Sequence, residues 1–298
     1  MKRLFGTLVA LLAFYGGANA QLLYRISGNG LEKPSYIVGT YHLAPAKFVD
    51  DIAGAREAMD AVEQVYGEVD MNDATAAQLT MLSAMMLPEG ETITDHFTAE
   101  EMERINAYMR EVMGVDFNNP MIANQLGRFR PSVLAMQLMV MQYMKMTPDF
   151  DAMNLIDDYF QKEARKVGKR VGGFETAEFQ INLLYGSKSI EEECEELMEF
   201  VDNNAEALEQ MQAMTDAYFS FDMKSINRLT EAELKSGHMS AEEFAAMLTD
   251  RNHHWVEAMP QIMQEAPTLF VVGAGHLPGN EGVLKLLKKA GYKVEAVK

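Results

Sequence analysis

The sequence contains a single cysteine, Cys194, so it can form no internal disulfide. Basic residues are also scarce, since 26 Lys and Arg face 44 Asp and Glu, which gives a formal net charge of −18. A nucleic-acid partner is not expected, because phosphate binding needs clustered Lys and Arg. Hydrophobic residues make up 48% of the chain, enough for a substantial core, and the stability must come from that core.

The first twenty residues have the composition of a secretory signal peptide. Lys2 and Arg3 give a positive start, residues 4–15 are mostly apolar, and the Ala-Asn-Ala at 18–20 fits a small-residue cleavage site. The apolar stretch is short for a membrane span. We therefore expect an exported protein, periplasmic or extracellular, with no transmembrane span in a mature chain that begins at Gln21. An uncleaved anchor helix is the alternative.

Strand-like segments occur towards both ends of the chain and helical segments fill the middle. The pattern predicts an α/β fold with a mostly parallel central sheet, an N-terminal hairpin and a large, mainly helical middle insertion. We expect one domain over 21–298 after the signal peptide at 1–20, with the helical insertion at about 74–165 and 176–263. Strands are predicted at 22–27, 35–42, 64–71, 169–174, 268–273 and 292–297.

Two helical segments carry more specific predictions. Asp73 is expected to cap a helix that continues through Leu87. A second helix is expected to start at Pro131 and end near Met146, and it is dense in methionine. Such a stripe can bind varied partners, but core packing is the simpler interpretation.

Two of the six histidines occupy the same kind of position. An apolar strand leads into Gly39-x-x-His42, and another leads into Gly273-x-x-His276. In open α/β sheets, ligands gather at the carboxyl ends of strands, and glycine there allows tight turning and close backbone approach. The repetition predicts that both imidazoles converge on one metal ion or one substrate. Two unrelated turn histidines are the alternative.

Acidic residues mark two further strand ends. Glu68 and Asp70 share one face of an apolar strand, where a buried carboxylate needs a partner or a cation. Glu68 is the stronger candidate, because Asp70 is equally suited to capping the next helix. Glu175 ends the following strand, although it is also placed to stabilise a helix N-terminus. Gln180 lies slightly further on and can point back to the site.

A polar segment opens the helix before the second motif. Arg251 is suited to binding a substrate carboxylate or an oxyanion, with Asn252 beside it. Trp255 lies one turn later on the same face, where it can pack over Arg251. The adjacent His253 and His254 point in different directions on a helix, so they form a poor metal pair.

Assembled in this order, the segments resemble the TraB/GumN family. The resemblance covers essentially the whole mature chain, and it departs from the family pattern mildly at Tyr41 and Phe174. The family is similar to the Tiki metalloproteases of animals and, more distantly, to erythromycin-esterase and ChaN-like proteins. The matching stretches are 35–42, 66–70, 172–180, 251–252 and 272–279 with Gly282, and weaker matches lie at 87–105, around Arg130-Pro131 and at Asp157.

The resemblance implies a metal-dependent hydrolase, most simply a peptidase, that acts on a peptide or small-molecule substrate with a divalent ion such as manganese or cobalt. Which carboxylate is the ligand and which the general base stays open, as do two other functions. These are non-catalytic binding of a metal, haem or similar ligand in the envelope, and metal-free, esterase-like hydrolysis. The sequence does not indicate an oligomeric state. The candidates are His42, His276 and Glu68 as metal ligands, Glu68, Glu175 and Arg251 as catalytic groups, and Gly39, Gly273, Asp70, Gln180 and Asn252 as supporting residues.

Overall fold

The computed structural model describes residues 21–148, 150–236 and 239–298. The predicted signal peptide lies outside these described residues. The strands are β1 (Leu23–Ser27), β2 (Ser35–Thr40), β3 (Gln64–Val69), β4 (Arg170–Glu175), β5 (Thr268–Gly273) and β6 (Lys293–Ala296). The helices are α1 (Ala55–Ala61), α2 (Met71–Ala76), α3 (Gln78–Ala84), α4 (Ala99–Met113), α5 (Pro120–Leu126), α6 (Pro131–Met146), α7 (Ile156–Lys166), α8 (Ala177–Tyr185), α9 (Ile190–Asp202), α10 (Asn204–Phe219), α11 (Met223–Ser236), α12 (Ala241–Phe244), α13 (Asp250–Glu265) and α14 (Val283–Lys289).

The strands form one sheet in the order β4-β3-β5-β2-β1-β6. Strands β4, β3, β5 and β2 pair in parallel, whereas β1 pairs antiparallel with both β2 and β6. The turn between β1 and β2 uses left-handed backbone at Asn29, where φ is 48°. The predicted fold is therefore confirmed: a mostly parallel sheet with an N-terminal hairpin and a helical middle insertion.

The buried apolar residues divide into two clusters. The larger one is built on the sheet and includes Phe160, Trp255 and Phe270. The smaller one includes Ile105, on α4, and Leu197, on α9, and lies among the helices of the insertion. The insertion thus has a core of its own beside the sheet. The single domain over 21–298 stays a prediction.

A buried ion pair joins two helices near the smaller cluster. Nε and Nη2 of Arg130, just before α6, donate to Glu193 Oε1 at 2.8 and 2.6 Å. The Ser132 N–H donates to the other Glu193 oxygen at 3.3 Å. The two charged side chains are 15% and 2% exposed, so they must compensate each other.

The predicted helix from Asp73 to Leu87 is wrong at its start and in its continuity. Asp70 Oδ1 accepts a hydrogen bond from the Asn72 N–H at 2.7 Å, so Asp70 is the residue that caps α2. The chain leaves the helix at Ala77 before α3 begins. Local pattern did not separate two short helices from one longer helix.

Core packing was also the wrong interpretation for the methionine-rich helix α6. Its buried face is formed by non-methionine residues such as Leu134 and Leu138. The exposed methionines are Met136, Met139, Met144 and Met146, at 37–45% exposure.

Among the described residues, no helix is long and apolar enough to cross a membrane.

Candidate active site

The carboxyl ends of the four parallel strands bring the predicted residues together. In the pairing of β2 with β5, Thr40 lies opposite Gly273, so the two histidine motifs leave the sheet side by side. In the pairing of β3 with β4, Val69 lies opposite Glu175, the last residue of β4. Glu68 precedes Val69. Because parallel strands end at one edge of a sheet, this edge is where a ligand is expected.

Space requires the glycine that opens the first motif, whereas neither space nor backbone conformation requires the glycine that opens the second. A Cβ at Gly39 would lie 2.8 Å from Leu277 Cδ1, at the end of the turn that carries the second motif. A Cβ at Gly273 would lie 3.4 Å from Glu68 Oε1 and 3.5 Å from His276 Cδ2. Gly273 has a φ of −55°, which any residue adopts. Close approach therefore explains the glycine at Gly39, while Gly273 has room for a methyl group and makes no tight turn.

His276 is buried and oriented through Nδ1. The Asn252 amide donates from Nδ2 to the Glu281 carbonyl at 2.9 Å, so its Oδ1 faces His276 Nδ1, 2.7 Å away. This contact makes Nδ1 the protonated nitrogen and leaves Nε2 with a lone pair. Nε2 lies 3.9 Å from Glu68 Oε1 and 3.2 Å from Arg251 Nη1. Burial lowers the pKa of His276 to about 4, so its ring is neutral at pH 7.

His42 lies on the open side of the same edge. Its side chain is 81% exposed, and Nδ1 lies 3.3 Å from Asp157 Oδ2. That carboxylate oxygen is buried and has no hydrogen-bond partner among the described residues, so the ion-pair contact with His42 compensates it. Asp157 Oδ1 accepts from Thr40 Oγ1 at 2.6 Å. The contact with Asp157 raises the pKa of His42 to about 9, and Nε2 is the ring nitrogen that remains for a ligand.

Arg251 lies between the two carboxylates and is fully engaged by the chain. Nε donates to Glu175 Oε1 at 2.7 Å, and Nη2 donates to Glu175 Oε2 at 2.9 Å and Glu68 Oε2 at 2.6 Å. Nη1 donates to the Met247 carbonyl at 3.0 Å and also faces His276 Nε2. Burial opposes the charge, but the carboxylates outweigh it and raise the pKa of Arg251. With all five N–H donors facing protein acceptors, Arg251 organises the site and leaves no donor for a substrate in this arrangement.

Two neighbouring features fix the guanidinium. The π-helical segment Ala245–Thr249, which joins α12 to α13, supplies the Met247 carbonyl, and such segments are frequent at functional sites. The Trp255 ring centroid lies 4.9 Å from Arg251 Cζ, which confirms the predicted packing of Trp255 over Arg251. The same indole lies 4.4 Å from the His276 ring.

Both carboxylate oxygens of Glu175 accept hydrogen bonds from neighbouring side chains. Its side chain is 4% exposed. Oε1 accepts from Arg251 Nε and from Trp255 Nε1, the latter at 2.8 Å. Oε2 accepts from Arg251 Nη2 and from Gln180 Nε2, both at 2.9 Å. Gln180 thus points back to the site as predicted, and it also lies 3.3 Å from Glu68 Oε2.

Glu68 is the more accessible of the two carboxylates, with 19% of its side chain exposed. Oε1 accepts from the Gly273 N–H at 2.8 Å, and Oε2 accepts from Arg251. Burial by itself would raise the pKa of Glu68. The neighbouring histidines, the Arg251 guanidinium and the Gly273 N–H outweigh burial and lower this pKa, so Glu68 is ionised at pH 7.

Two of the remaining residues lie outside this cluster, and one residue of the cluster was not predicted. Asp70 caps α2 and pairs with Arg165, and His253 pairs on the surface with Glu281. Asp157 was not predicted as a site residue, because it is separated by 117 positions from Thr40, which it contacts. Its only sequence signal was its place among the weaker family matches.

A model of the TraB/PrgY/gumN family matches residues 22–296. This chain belongs to the TraB/PrgY/gumN family. Metalloprotease TIKI1 of Homo sapiens is 24% identical over 89% of this chain and 60% of its own length. Metalloprotease TIKI2 of Danio rerio is 24% identical, over 88% and 58%, and a Metalloprotease TIKI homolog of Nematostella vectensis is 22% identical, over 89% and 65%. The chain thus spans about 60% of the length of these relatives. No solved structure matches it.

The site of this TraB/PrgY/gumN chain contains imidazole nitrogens and a carboxylate oxygen, which are the types of ligand that divalent ions take. Both imidazoles are held at Nδ1 by an oxygen, from Asp157 or Asn252, as is usual for metal-ligating histidines. Glu68 Oε1 and His276 Nε2 form an adjacent oxygen and nitrogen pair. Within the described residues, no group of three or more His, Cys, Asp or Glu is close enough to hold an ion.

The formal charge of the site also suits a divalent cation. Glu68, Glu175 and Asp157 contribute three negative charges, and Arg251 contributes one positive charge. With both imidazoles neutral, as metal binding requires, the sum is −3 + 1 = −2. A cation of charge +2 balances this sum, whereas a protonated His42 balances only half of it.

Proposed function

We propose that this chain is an exported, metal-dependent hydrolase that cleaves peptide bonds at this strand-end site. One observation carries the proposal: two histidines oriented through Nδ1 and an ionised Glu68 lie at the ends of neighbouring parallel strands. The names of the TIKI relatives, which are metalloproteases, support the reaction class. The signal-peptide pattern at 1–20 supports export.

His42, His276 and Glu68 are the proposed metal ligands. His276 is neutral in the free protein, whereas His42 must lose its proton to offer a lone pair, so binding of the ion releases a proton. When bound, a divalent ion such as manganese or cobalt supplies Lewis acidity, which polarises the peptide carbonyl and lowers the pKa of the attacking water.

The other charged residues are proposed as positioning residues. Glu175 fixes Arg251, and Arg251 holds Glu68 Oε2, which leaves Glu68 Oε1 on the side of His276. Asp157 holds the His42 ring through Nδ1. Oriented groups of this kind lower the reorganisation that the transition state requires.

The test measures metal content and peptide cleavage on the same preparations. We expect His42→Ala and His276→Ala each to lose the bound ion by elemental analysis and to lose cleavage of a peptide library supplemented with manganese or cobalt. His253→Ala is the matched control, because His253 is 49% exposed and pairs with Glu281 on the surface. Cleavage that survives both site substitutions and a chelator would contradict the proposal.

A metal-free hydrolase is the second candidate, and one contact favours it. Arg251 Nη1 lies 3.2 Å from His276 Nε2, the atom that an ion would need, while the pair of His42 and Asp157 has the form of a general base with its orienting carboxylate. This candidate predicts activity that is insensitive to chelators, lost in His42→Ala and retained in His276→Ala.

A further inference from the structure

A cavity of about 540 Å³ opens beside the candidate active site. Glu175 and Arg251 line the cavity and also belong to the charged cluster, so the cavity and the cluster share a wall. The apolar lining residues are Phe174, Phe179, Leu183 and Ala246, and the remaining polar ones are Thr176, Asp250 and His254. A mainly apolar cavity with a few polar groups at one side is the usual form of a ligand pocket.

The cavity has one fixed wall and one open wall. Phe174 stacks on Trp255 at 5.3 Å between ring centroids and on Phe270 at 5.4 Å, so it is held by the core under the sheet. Phe179 lies on α8 and is 45% exposed. A large aromatic side chain with this exposure gains by covering an apolar ligand, since burial of apolar surface is favourable.

The charges around the cavity select against an acidic occupant. Glu175 and Asp250 are carboxylates in the lining, the guanidinium of Arg251 is already engaged by Glu175 and Glu68, and the remaining titratable residue, His254, is exposed to solvent. An acidic side chain would therefore be desolvated beside carboxylates without gaining a buried cation. An uncharged apolar side chain meets no such cost.

We propose that this cavity is the specificity pocket of the enzyme and binds a large apolar side chain, of the size of leucine or phenylalanine, next to the scissile bond. The inference rests on the proposed function, because it names the substrate class of the same site. Arg251, in the shared wall, donates to Glu68 Oε2 and faces His276 Nε2, so an occupant of the cavity would be separated from these residues by the Arg251 side chain. Phe179 is the specificity-determining residue of the open wall.

Cleavage of matched peptides tests the pocket. The peptides differ only in the residue next to the scissile bond, which is Leu, Phe, Ala or Asp. We expect wild type to prefer Leu and Phe, and Phe179→Ala to lose about tenfold or more in kcat/KM for these peptides with little change for Ala. Phe179→Lys is expected to gain activity on the Asp peptide relative to wild type.

The matched control is Leu184→Ala, on the same helix. Leu184 is 50% exposed but does not line the cavity, so it should keep the wild-type preference. Cleavage without a preference for Leu or Phe, or an equal loss in Phe179→Ala and Leu184→Ala, would overturn the pocket assignment. The peptidase function would stand in either case.

A binding measurement separates the pocket from catalysis. Trp255 is the single tryptophan of the chain and stacks on Phe174 in the cavity wall, so its fluorescence reports occupancy. We expect N-acetyl-leucinamide, and not the corresponding aspartate amide, to give a saturable change in wild type and Leu184→Ala that is lost in Phe179→Ala. If no peptide is cleaved, the peptidase function fails and this titration decides the pocket: a saturable, Phe179-dependent change keeps it, and its absence overturns it.

Discussion

His42 and His276 follow neighbouring parallel strands, yet the first side chain is 81% exposed and the second 7%. The partner at Nδ1 is a carboxylate, Asp157, in one case and a neutral amide, Asn252, in the other. A carboxylate stabilises the protonated ring, whereas burial beside an amide favours the neutral ring. The pKa values are accordingly about 9 and about 4. The two Gly-x-x-His motifs therefore differ in what they supply. His276 supplies a fixed lone pair on Nε2, whereas His42 carries a proton that can be exchanged.

This difference suits a site that binds a cation. His276 is neutral above its pKa of about 4, whereas His42 can offer a lone pair only when it loses its proton. In the free protein the proton on His42 partly balances the negative charge that the ion would neutralise. Metal affinity is therefore expected to rise with pH as His42 deprotonates.

The largest effect is expected from Arg251→Met, which removes the cation beside His276 and leaves His42 with Asp157. Two carboxylates, Glu68 and Glu175, would remain without their main partner, so we expect a loss of about 3–5 kcal/mol in the free energy of unfolding. Without Arg251 the pKa of His276 should rise, because the guanidinium lowers it. Urea unfolding and a histidine NMR titration measure the two effects.

Arg130→Met is the control for this experiment. It also breaks a buried ion pair, with Glu193, but that pair lies among the helices of the insertion. We expect a comparable loss of stability with unchanged pKa values for both site histidines. A loss below about 1 kcal/mol for Arg251→Met would show that the carboxylates do not depend on it.

The next effect is expected from Asp157→Asn, which gives His42 the same type of partner that His276 has. The pKa of His42 should fall towards its ordinary value, because the contact with Asp157 is the main cause of its increase. Metal affinity, measured by calorimetry on chelator-treated protein and corrected for the proton that His42 releases, should fall by about 10- to 100-fold, as is usual when a residue that orients a ligand is lost.

Asp158→Asn is the matched control for Asp157→Asn. Asp158 is the next residue on α7 and pairs with Lys162 on the surface. It should leave both the pKa of His42 and the metal affinity unchanged. Equal affinities for wild type and Asp157→Asn, after correction for the proton released by His42, would remove Asp157 from the site.

The sheet and the convergence of the site could be predicted because they depend on local pattern. Apolar runs identify the strands, and parallel strand ends must meet at one edge, which brings Glu68 and Glu175 to the histidine motifs. The partner of each histidine could not be predicted. Asp157 reaches His42 from the first turn of α7, near the end of the first part of the helical insertion. No local period relates two positions so far apart in the sequence.

The state of Arg251 was not predictable for a related reason. A sequence identifies a guanidinium that can bind an oxyanion, but the acceptors that occupy it come from β3, β4 and the π-helical segment. The exposed methionines of α6 show the same limit, because their periodicity is helical whether the face is buried or open. Long-range packing decides both cases.

A smaller effect separates the two glycines. In Gly39→Ala the new methyl group would lie 2.8 Å from Leu277 Cδ1, so we expect a loss of about 1–3 kcal/mol in the free energy of unfolding. In Gly273→Ala the nearest atoms are Glu68 Oε1 and His276 Cδ2 at 3.4 and 3.5 Å, and the loss should be well under that. Urea unfolding of both variants measures the difference, and equal losses would contradict the steric explanation.

The last comparison is a pair of opposite pH dependences in the metal-free protein. His276 has a folded pKa of about 4, below the ordinary 6.5, so the unfolded chain binds its proton first and the contribution of His276 is lost as pH falls from about 6.5 to 4. His42 has a folded pKa of about 9, so its contribution is complete below 6.5 and is lost as pH rises through about 9. The His42 contribution should be the smaller, because solvent screens its exposed ring. Subtracting the pH–stability curves of His42→Gln and His276→Gln from that of wild type isolates the two slopes. If the His42 and His276 contributions changed with pH in the same direction, the pKa values of the two histidines would not be shifted in opposite directions by their partners.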